Sequence, residues 1–289
     1  MPKRAFKIRF LFFALLLPVA ARAAEPFTGQ TLRRDVEFLA SEACEGRGSG
    51  SAGLTEAGFY ILRSLRDAGL DPFVQSFEAE GHLARNLIAA LRGNPDSDRY
   101  VLVCAYYDGL GILGGKRYPG ADANASGVAA MLAIAAALAA DPPRENYLFV
   151  ALDAHSAGLA GADQLYGKWH FSLVVNLDTL GSGLAPVSSY WPDYLIALGA
   201  SSYHIELQRA NRETDLRLYY DYYGSRDFTD FFYRRISDQR IFVSHGIPAV
   251  MFTSGITDHT NKESDLPETL DYPLFCRRVQ LISRWLRQR

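Results

Sequence analysis

Cysteine is scarce in this sequence, with three residues in a chain of 289. Three cysteines allow at most one disulfide and leave one thiol over, which excludes a small scaffold held together by disulfides. Cys104 lies in an apolar run and is expected to be a buried, inert side chain. Whether Cys44 pairs with Cys276 is left open by the sequence.

We expect no segment after the first 23 residues to be long and apolar enough to span a membrane, and the apolar run within them is short. Lys3, Arg4, Lys7 and Arg9 precede the apolar stretch Phe10–Ala20, which small residues follow as far as Ala23. This pattern predicts a secretory signal peptide over residues 1–23, and hence export to a bacterial periplasm or the medium. The stretch is about half of the ~20 residues that a membrane span needs. We therefore expect no membrane span in the mature chain.

An excess of positive charge is also lacking. Removing the five basic residues of the leader from 30 leaves 25, against 32 acidic side chains, so the mature chain carries a net charge of −7. An acidic protein of this kind is not expected to bind nucleic acid or anionic lipid.

Residues 24–289 show no internal repeat and no long linker, so a single domain is expected. Segments with helical spacing alternate with short apolar runs typical of buried strands. This alternation predicts an α/β fold in which a mixed, mostly parallel sheet lies between helices. The predicted helices are Thr31–Ala40, Leu54–Ala68, Asn124–Ala139 and Tyr272–Arg287, and the predicted strands are Pro72–Phe77, Asn86–Leu91, Tyr100–Ala105, Tyr147–Leu152, Leu173–Leu177 and Ala249–Thr253.

Polar motifs follow three of these predicted strands. A two-metal hydrolase needs carboxylates and imidazoles from several strand ends to converge on two cations, and loops at the carboxyl ends of strands supply them. The motifs are Val101–Asp108 (VLVCAYYD), Pro119–Gly127 (PGADANASG), Leu152–Gly158 (LDAHSAG), Asn176–Gly181 (NLDTLG) and, near the C-terminus, Asp258–Asp265 (DHTNKESD).

The order and spacing of these five segments resemble the M28 family of zinc peptidases. Phe38–Gly53, Ala84–Gly93 and His245–Phe252 are also similar to segments of that family, so the resemblance covers nearly the whole mature chain. It implies a single-domain sandwich of the zinc-exopeptidase type. In the family, five side chains bind two zinc ions and a glutamate acts as the general base.

Four of the six corresponding positions carry a different residue in this sequence. Tyr106 stands where the family has its first histidine ligand, and Ala123 where an aspartate bridges both metals. His155 and Ser156 replace the adjacent glutamates that serve as base and ligand. By the same resemblance, Asp178 and His259 match the terminal ligands, Asp108 and Asp122 match flanking acids of the site, and Gln239 replaces a further histidine.

Each zinc would then keep one family ligand, Asp178 for the first and His259 for the second, whereas a catalytic zinc normally takes three. The leading interpretation is an exported, M28-like pseudoenzyme without a metal cofactor, which binds a peptide or a small ligand in the old cleft. An alternative is an active hydrolase with one metal on His155, Asp178 and His259, aided by Asp122 or Asp153. A metal-free Ser156–His155 site has no nucleophile-elbow motif to support it.

The segment Arg217–Arg235 contains eight tyrosines or phenylalanines in nineteen residues. Packing against the core is the first interpretation of these rings. An aromatic wall over a cleft is the second. A third treats the segment as the contact through which the protein joins an envelope complex. Oligomeric state is left open.

Overall fold

The computed structural model describes residues 27–183 and 192–289, so the predicted signal peptide lies outside the described part. Eight strands form one sheet in the order β1-β2-β6-β3-β7-β10-β8-β9, and β4 and β5 pair separately. The strands are β1 Phe73–Ala79, β2 His82–Leu91, β3 Arg99–Tyr106, β4 Gly111–Leu113, β5 Lys116–Tyr118, β6 Asn146–Leu152, β7 His170–Leu177, β8 Tyr194–Leu198, β9 Arg217–Tyr219 and β10 Ala249–Thr253.

The centre of the sheet is parallel, and antiparallel strands flank it. Strand β3 pairs in parallel with β6 and with β7, and β7 pairs in parallel with β10. Strands β1 and β2 pair antiparallel with each other, as do β2 with β6 and β10 with β8. The central strands are continuous apolar runs because both of their faces are buried. The predicted mixed, mostly parallel sheet is confirmed.

Helices cover both faces of this sheet. One core lies between the sheet and α1, α2, α3 and α8, and a second lies under α4 and α7. The helices of the described residues are α1 Gly29–Leu39, α2 Ala52–Asp67, α3 Gly127–Ala140, α4 Ala160–Leu165, α5 His204–Ala210, α6 Arg226–Phe231, α7 Gln239–Ser244 and α8 Tyr272–Arg287.

The helix predicted from Asn124 begins three residues later, at Gly127. Residues 121–126 form a wide, irregular turn, and the Asn124 side chain accepts a hydrogen bond from the Gly127 amide (3.2 Å). By length and hydropathy alone, residues 121–140 could cross a membrane, contrary to the expectation from the sequence. Because 83% of the apolar window is buried, this segment is the central core helix of the fold.

A buried arginine connects the loops around the candidate site. Arg47 is inaccessible to solvent and donates hydrogen bonds to four backbone carbonyls, of Leu39, Tyr107, Pro119 and Gly120. It therefore fixes the loop after α1 against the turns that follow β3 and β5. No disulfide joins Cys44, Cys104 and Cys276, and Cys104 is buried as expected.

Candidate functional site

The predicted site residues converge at the carboxyl ends of the parallel strands, where open α/β sheets place their sites. β3 ends at Tyr106, β6 is followed by Asp153 and His155, and β7 is followed by Asp178. A pocket of about 100 Å³ lies between these ends. It is lined by Tyr106, Ala123, His155, Asp178, Thr179, Tyr222, Phe232, Ile236, Ser237, Met251, Ile256, Thr260 and Asn261.

His155, whose side chain is 23% exposed, forms a partly buried ion pair at the position of the family's general base. Its Nδ1 lies 2.8 Å from Oδ2 of Asp238, a side chain with no solvent exposure in the turn before α7. The second oxygen of Asp238, Oδ1, is buried and has no hydrogen-bond partner among the described residues. The imidazole of His155 therefore engages only Oδ2 of the Asp238 carboxylate.

Three carboxylates surround the His155 ring and hold it in the protonated form. Burial lowers the pKa of His155, but the charges of Asp238, Asp178 and Asp108 outweigh burial and raise it to about 9. His155 is therefore a cation at neutral pH, and its Nδ1 donates to Asp238. An imidazolium has no lone pair for a metal, so this ring is a poor zinc ligand in its present setting.

Tyr106 occupies the space beside this ion pair. Its ring stacks on the His155 imidazole with 3.8 Å between ring centroids and 17° between planes. Burial and the charge of Asp178 raise the pKa of Tyr106 well above its usual value, so its hydroxyl stays protonated. The phenol is a hydrogen-bond donor to Asp178, and this contact lowers the pKa of that carboxyl.

Asp178 belongs to a hydrogen-bond network under the pocket floor. It accepts a hydrogen bond from the Ser237 hydroxyl (2.8 Å), which in turn accepts one from Asn176 Nδ2 (2.9 Å). Asn176 also donates to Oε1 of Gln239, the residue at the further histidine position (2.7 Å). Burial raises the pKa of Asp178, while His155 and Ser237 oppose that rise. Its Oδ2 is thus engaged by a protein donor.

The loop that holds Ala123 is fixed by a carboxylate that the sequence analysis did not single out. Asp265 accepts hydrogen bonds from the backbone amides of Asp122 (2.8 Å) and Ala123 (3.0 Å). Ala123 lines the pocket at the family's bridging position, and its methyl side chain has no metal-binding atom. The Asp122 carboxylate instead accepts from the Gly181 amide (2.7 Å) and the Ser126 hydroxyl (3.0 Å). Burial, together with the charge of Asp265, raises the pKa of Asp122 to about 7.

Ser156 and Asp108 form a separate contact on the far side of His155. Asp108 accepts hydrogen bonds from the backbone amide of His155 (3.0 Å) and from the Ser156 hydroxyl (3.2 Å). Burial raises the pKa of Asp108 to about 6, against the lowering effect of the His155 charge. Ser156 is therefore directed at a carboxylate and not at the imidazole, which leaves it without the base that a nucleophile requires.

His259, like Ser156, does not line the pocket, whereas Tyr106, Ala123, His155 and Asp178 do. Its Nδ1 lies 2.9 Å from the Ser264 hydroxyl, in the loop before α8. Within the described ranges, no three His, Cys, Asp or Glu side chains are grouped so that they could hold a metal ion. The donor set of His155, Asp178 and His259 therefore does not fit a zinc ion in this arrangement.

The aromatic segment Arg217–Arg235 mostly packs upon itself. Tyr222 is buried and stacks on Phe232, with ring centroids 4.5 Å apart, and both rings line the pocket. Phe231 and Tyr223 remain 43% and 37% exposed. The segment thus combines the first two sequence-based interpretations: it packs, and one side of it walls the pocket.

Two comparisons with known sequences bear on this chain. Residues 86–285 match the profile of Peptidase family M28. A probable zinc metalloprotease of Pyrenophora tritici-repentis is 32% identical over 109 residues, which are 34% of this chain and 25% of that protein. The chain therefore matches about a quarter of the length of this relative.

Solved structures share the fold across almost the whole chain. The zinc aminopeptidase BSAP of Bacillus subtilis superimposes with a TM-score of 0.72 at 15% identity, over 92% of this chain and 96% of that one. A glutaminyl cyclase of Porphyromonas gingivalis gives a TM-score of 0.71 at 18% identity, over 92% and 99%. At such identities the likeness concerns architecture alone.

Proposed function

Because this chain belongs to peptidase family M28 while four of six matched site positions differ, we propose that it is a metal-independent binding member of the family. It retains the cleft for a peptide or small ligand and lacks zinc-dependent hydrolysis. The observation that carries the proposal is the partly buried His155–Asp238 ion pair, stacked against Tyr106. Export through the predicted leader is part of the same proposal.

The ion pair supports this function because it places a positive charge among the acids of the pocket without a metal. In a two-zinc site the cations balance converging carboxylates. Here the imidazolium of His155 balances part of the charge of Asp178 and Asp238. A zinc ion would have to displace the proton of His155 and the hydrogen-bond donors of Asp178. Ala123 offers no atom to bridge a second ion.

The pocket chemistry favours a small cationic group. Asp178 lines the pocket, and the charges of Asp238 and Asp108 also act on His155, so three acids surround the single cation of this region. The stacked rings of Tyr222 and Phe232 line the wall, and aromatic rings attract ammonium groups. The pocket of about 100 Å³ calls for a small group that carries a positive charge and contacts aromatic rings. The amino terminus of a peptide, or a free amine with an apolar side chain, is such a group.

Calorimetric titration with leucinamide and with N-acetyl-leucinamide tests this function. Leucinamide carries the ammonium group and should bind, while the acetylated compound should bind at least about tenfold more weakly. Asp178→Asn should weaken leucinamide binding by a similar factor. Asp98→Asn, which removes an exposed carboxylate far from the pocket, is the matched control and should bind like the wild type. Equal binding of both compounds would refute an ammonium site.

The alternative, a hydrolase with a single metal on His155, Asp178 and His259, makes a different prediction. It requires turnover of aminoacyl-nitroanilides that a chelator abolishes and that His155→Ala removes. Our proposal expects no such turnover with or without added zinc, because His259 points to Ser264 outside the pocket. Chelator-sensitive hydrolysis by the wild type would favour the alternative.

A further inference from the structure

A second cavity, of about 640 Å³, lies between α2 and the β1–β2 hairpin, away from the His155 pocket. We refer to it as the apolar groove. Its size and its mostly apolar lining fall within the range of small-molecule sites. It is lined by Gly50, Ser51, Leu54, Thr55, Gly58, Phe59, Leu62, Val74, Gly81, His82, Leu83, Arg85, Leu87 and Tyr107.

The groove has a buried aliphatic floor and an exposed apolar rim. Leu54, Leu62 and Leu87 in the floor are buried. On the rim, Phe59 and Leu83 are 58% and 55% exposed. Large apolar side chains grouped in the open around a cavity mark a binding surface. Because buried leucines form its floor, the groove offers an apolar surface to an inserted alkyl chain.

The polar groups of the groove are few, and one of them is a free cation. Arg85 is half-buried, and across residues 27–183 and 192–289 its guanidinium makes no hydrogen bond or ion pair. Burial raises the pKa of Asp153 and the charge of Arg85 opposes that rise, but the hydrogen bonds to this carboxylate come from the backbone amides of Arg85 (2.8 Å) and Ala154 (2.7 Å) and not from the guanidinium. No aspartate or glutamate lines the groove.

The remaining polar side chains serve the local structure. The Ser51 hydroxyl caps α2 by accepting from the Leu54 amide (3.0 Å), and Thr55 donates to the Ser51 carbonyl (3.3 Å). The His82 ring lies over Gly50, where an added Cβ would come within 3.0 Å of it. Arg85 is left as the side chain available to an incoming ligand.

We propose that the apolar groove binds a linear molecule with an alkyl chain and one terminal carboxylate. The chain lies on the leucine floor, and the carboxylate pairs with the guanidinium of Arg85, which suits planar oxyanions. A peptide fits less well, because its amide groups would be buried against leucines without hydrogen-bond partners. The site is separate from the His155 pocket, since Tyr107 lines the groove while Tyr106 lines the pocket.

Calorimetric titration of the full chain with dodecanoate, dodecanol and dodecyltrimethylammonium, each below its micelle-forming concentration, tests this proposal. Dodecanoate should bind saturably at one molecule per chain, and the cationic analogue at least about tenfold more weakly. Arg85→Gln should weaken the binding of dodecanoate by about tenfold or more and leave the binding of dodecanol unchanged. Arg63→Gln makes the same charge change on the exposed face of α2 and should have no effect.

Filling the groove provides a second variant. An added Cβ at Gly58 would contact Leu87 and Tyr107 at ordinary distances of 3.7 to 4.0 Å, so Gly58→Leu should fold and obstruct the groove. It should abolish binding of dodecanoate and dodecanol alike, with an unchanged circular dichroism spectrum. Non-saturable binding, equal affinity for the three head groups, or equal loss in Arg85→Gln and Arg63→Gln would overturn the proposal.

Discussion

Replacing Asp238 with asparagine removes the partner of His155 while keeping the shape of the side chain. In the wild type, burial lowers the pKa of His155, but Asp238, with Asp178 and Asp108, raises it from its ordinary 6.5 to about 9, and Asp238 is the largest of these three contributors. Each unit of pKa shift corresponds to about 1.4 kcal/mol. The shift therefore stabilises the folded state by about 3 kcal/mol, which is also the order of a buried pair that loses one member.

The stability that the raised pKa of His155 contributes to the folded state depends on pH. A group whose pKa is raised by folding stabilises the protein fully below its unfolded pKa, here 6.5, and that stability is lost as the pH rises through about 9. Asp238→Asn should therefore lower the free energy of unfolding by about 3 kcal/mol at pH 6. The difference between variant and wild type should shrink towards pH 9.5.

Urea unfolding followed by circular dichroism at pH 6, 7.5 and 9.5 measures this difference. Asp98→Asn is the matched control, because Asp98 pairs with His170 at 2.6 Å while both side chains are more than three quarters exposed. Exposed pairs contribute little, so the control should unfold like the wild type. An Asp238→Asn variant as stable as the control, or an NMR titration that places the pKa of His155 near 6.5, would refute the reasoning.

Three further substitutions test the surroundings of the pocket, each by urea unfolding. Ala123→Asp adds a buried carboxylate beside Asp178 and should destabilise the metal-free protein by about 2 kcal/mol at pH 8, and less at pH 5, where it is protonated. No loss at pH 8 would contradict this. Asp122→Asn removes a carboxyl whose pKa is raised to about 7. As the pH rises from about 4 to 7, the variant should therefore lose less stability than the wild type does. The same dependence of unfolding free energy on pH in variant and wild type would contradict this prediction. Arg47→Met leaves four carbonyls without their donor and should cost about 3 kcal/mol or more, whereas a loss below about 1 kcal/mol would show that water replaces the guanidinium.

Much of the fold could be predicted from the sequence because its central strands are continuous apolar runs bounded by polar motifs. Six strands and four helices were predicted near their observed positions. Strand β8, Tyr194–Leu198, was not predicted, since a five-residue apolar run is ambiguous without its neighbours. The start of α3 was placed too early because Asn124, the predicted cap, lies inside an irregular turn that precedes the helix.

The site was predictable in its positions but not in its contacts. The motifs located Tyr106, Ala123, His155 and Asp178 around one pocket. They did not indicate that Asp238, 83 residues after His155, would be the partner of that histidine. Such a pairing depends on how α7 packs beside β7 and β10, which periodicity does not encode. Asp238 stands next to the substituted Gln239 in the Ser-Asp-Gln segment, and that proximity was the one available signal.

Metal content tests the central claim most directly. The purified protein is incubated with excess zinc, dialysed against metal-free buffer at pH 7.5, and analysed for zinc per chain by mass spectrometry of the elements. Because His155 is protonated and Ala123 has no donor atom, we predict that zinc stays far below one ion per chain. Retention of about one or two zinc ions per chain, lost again in Asp178→Ala, would contradict the account.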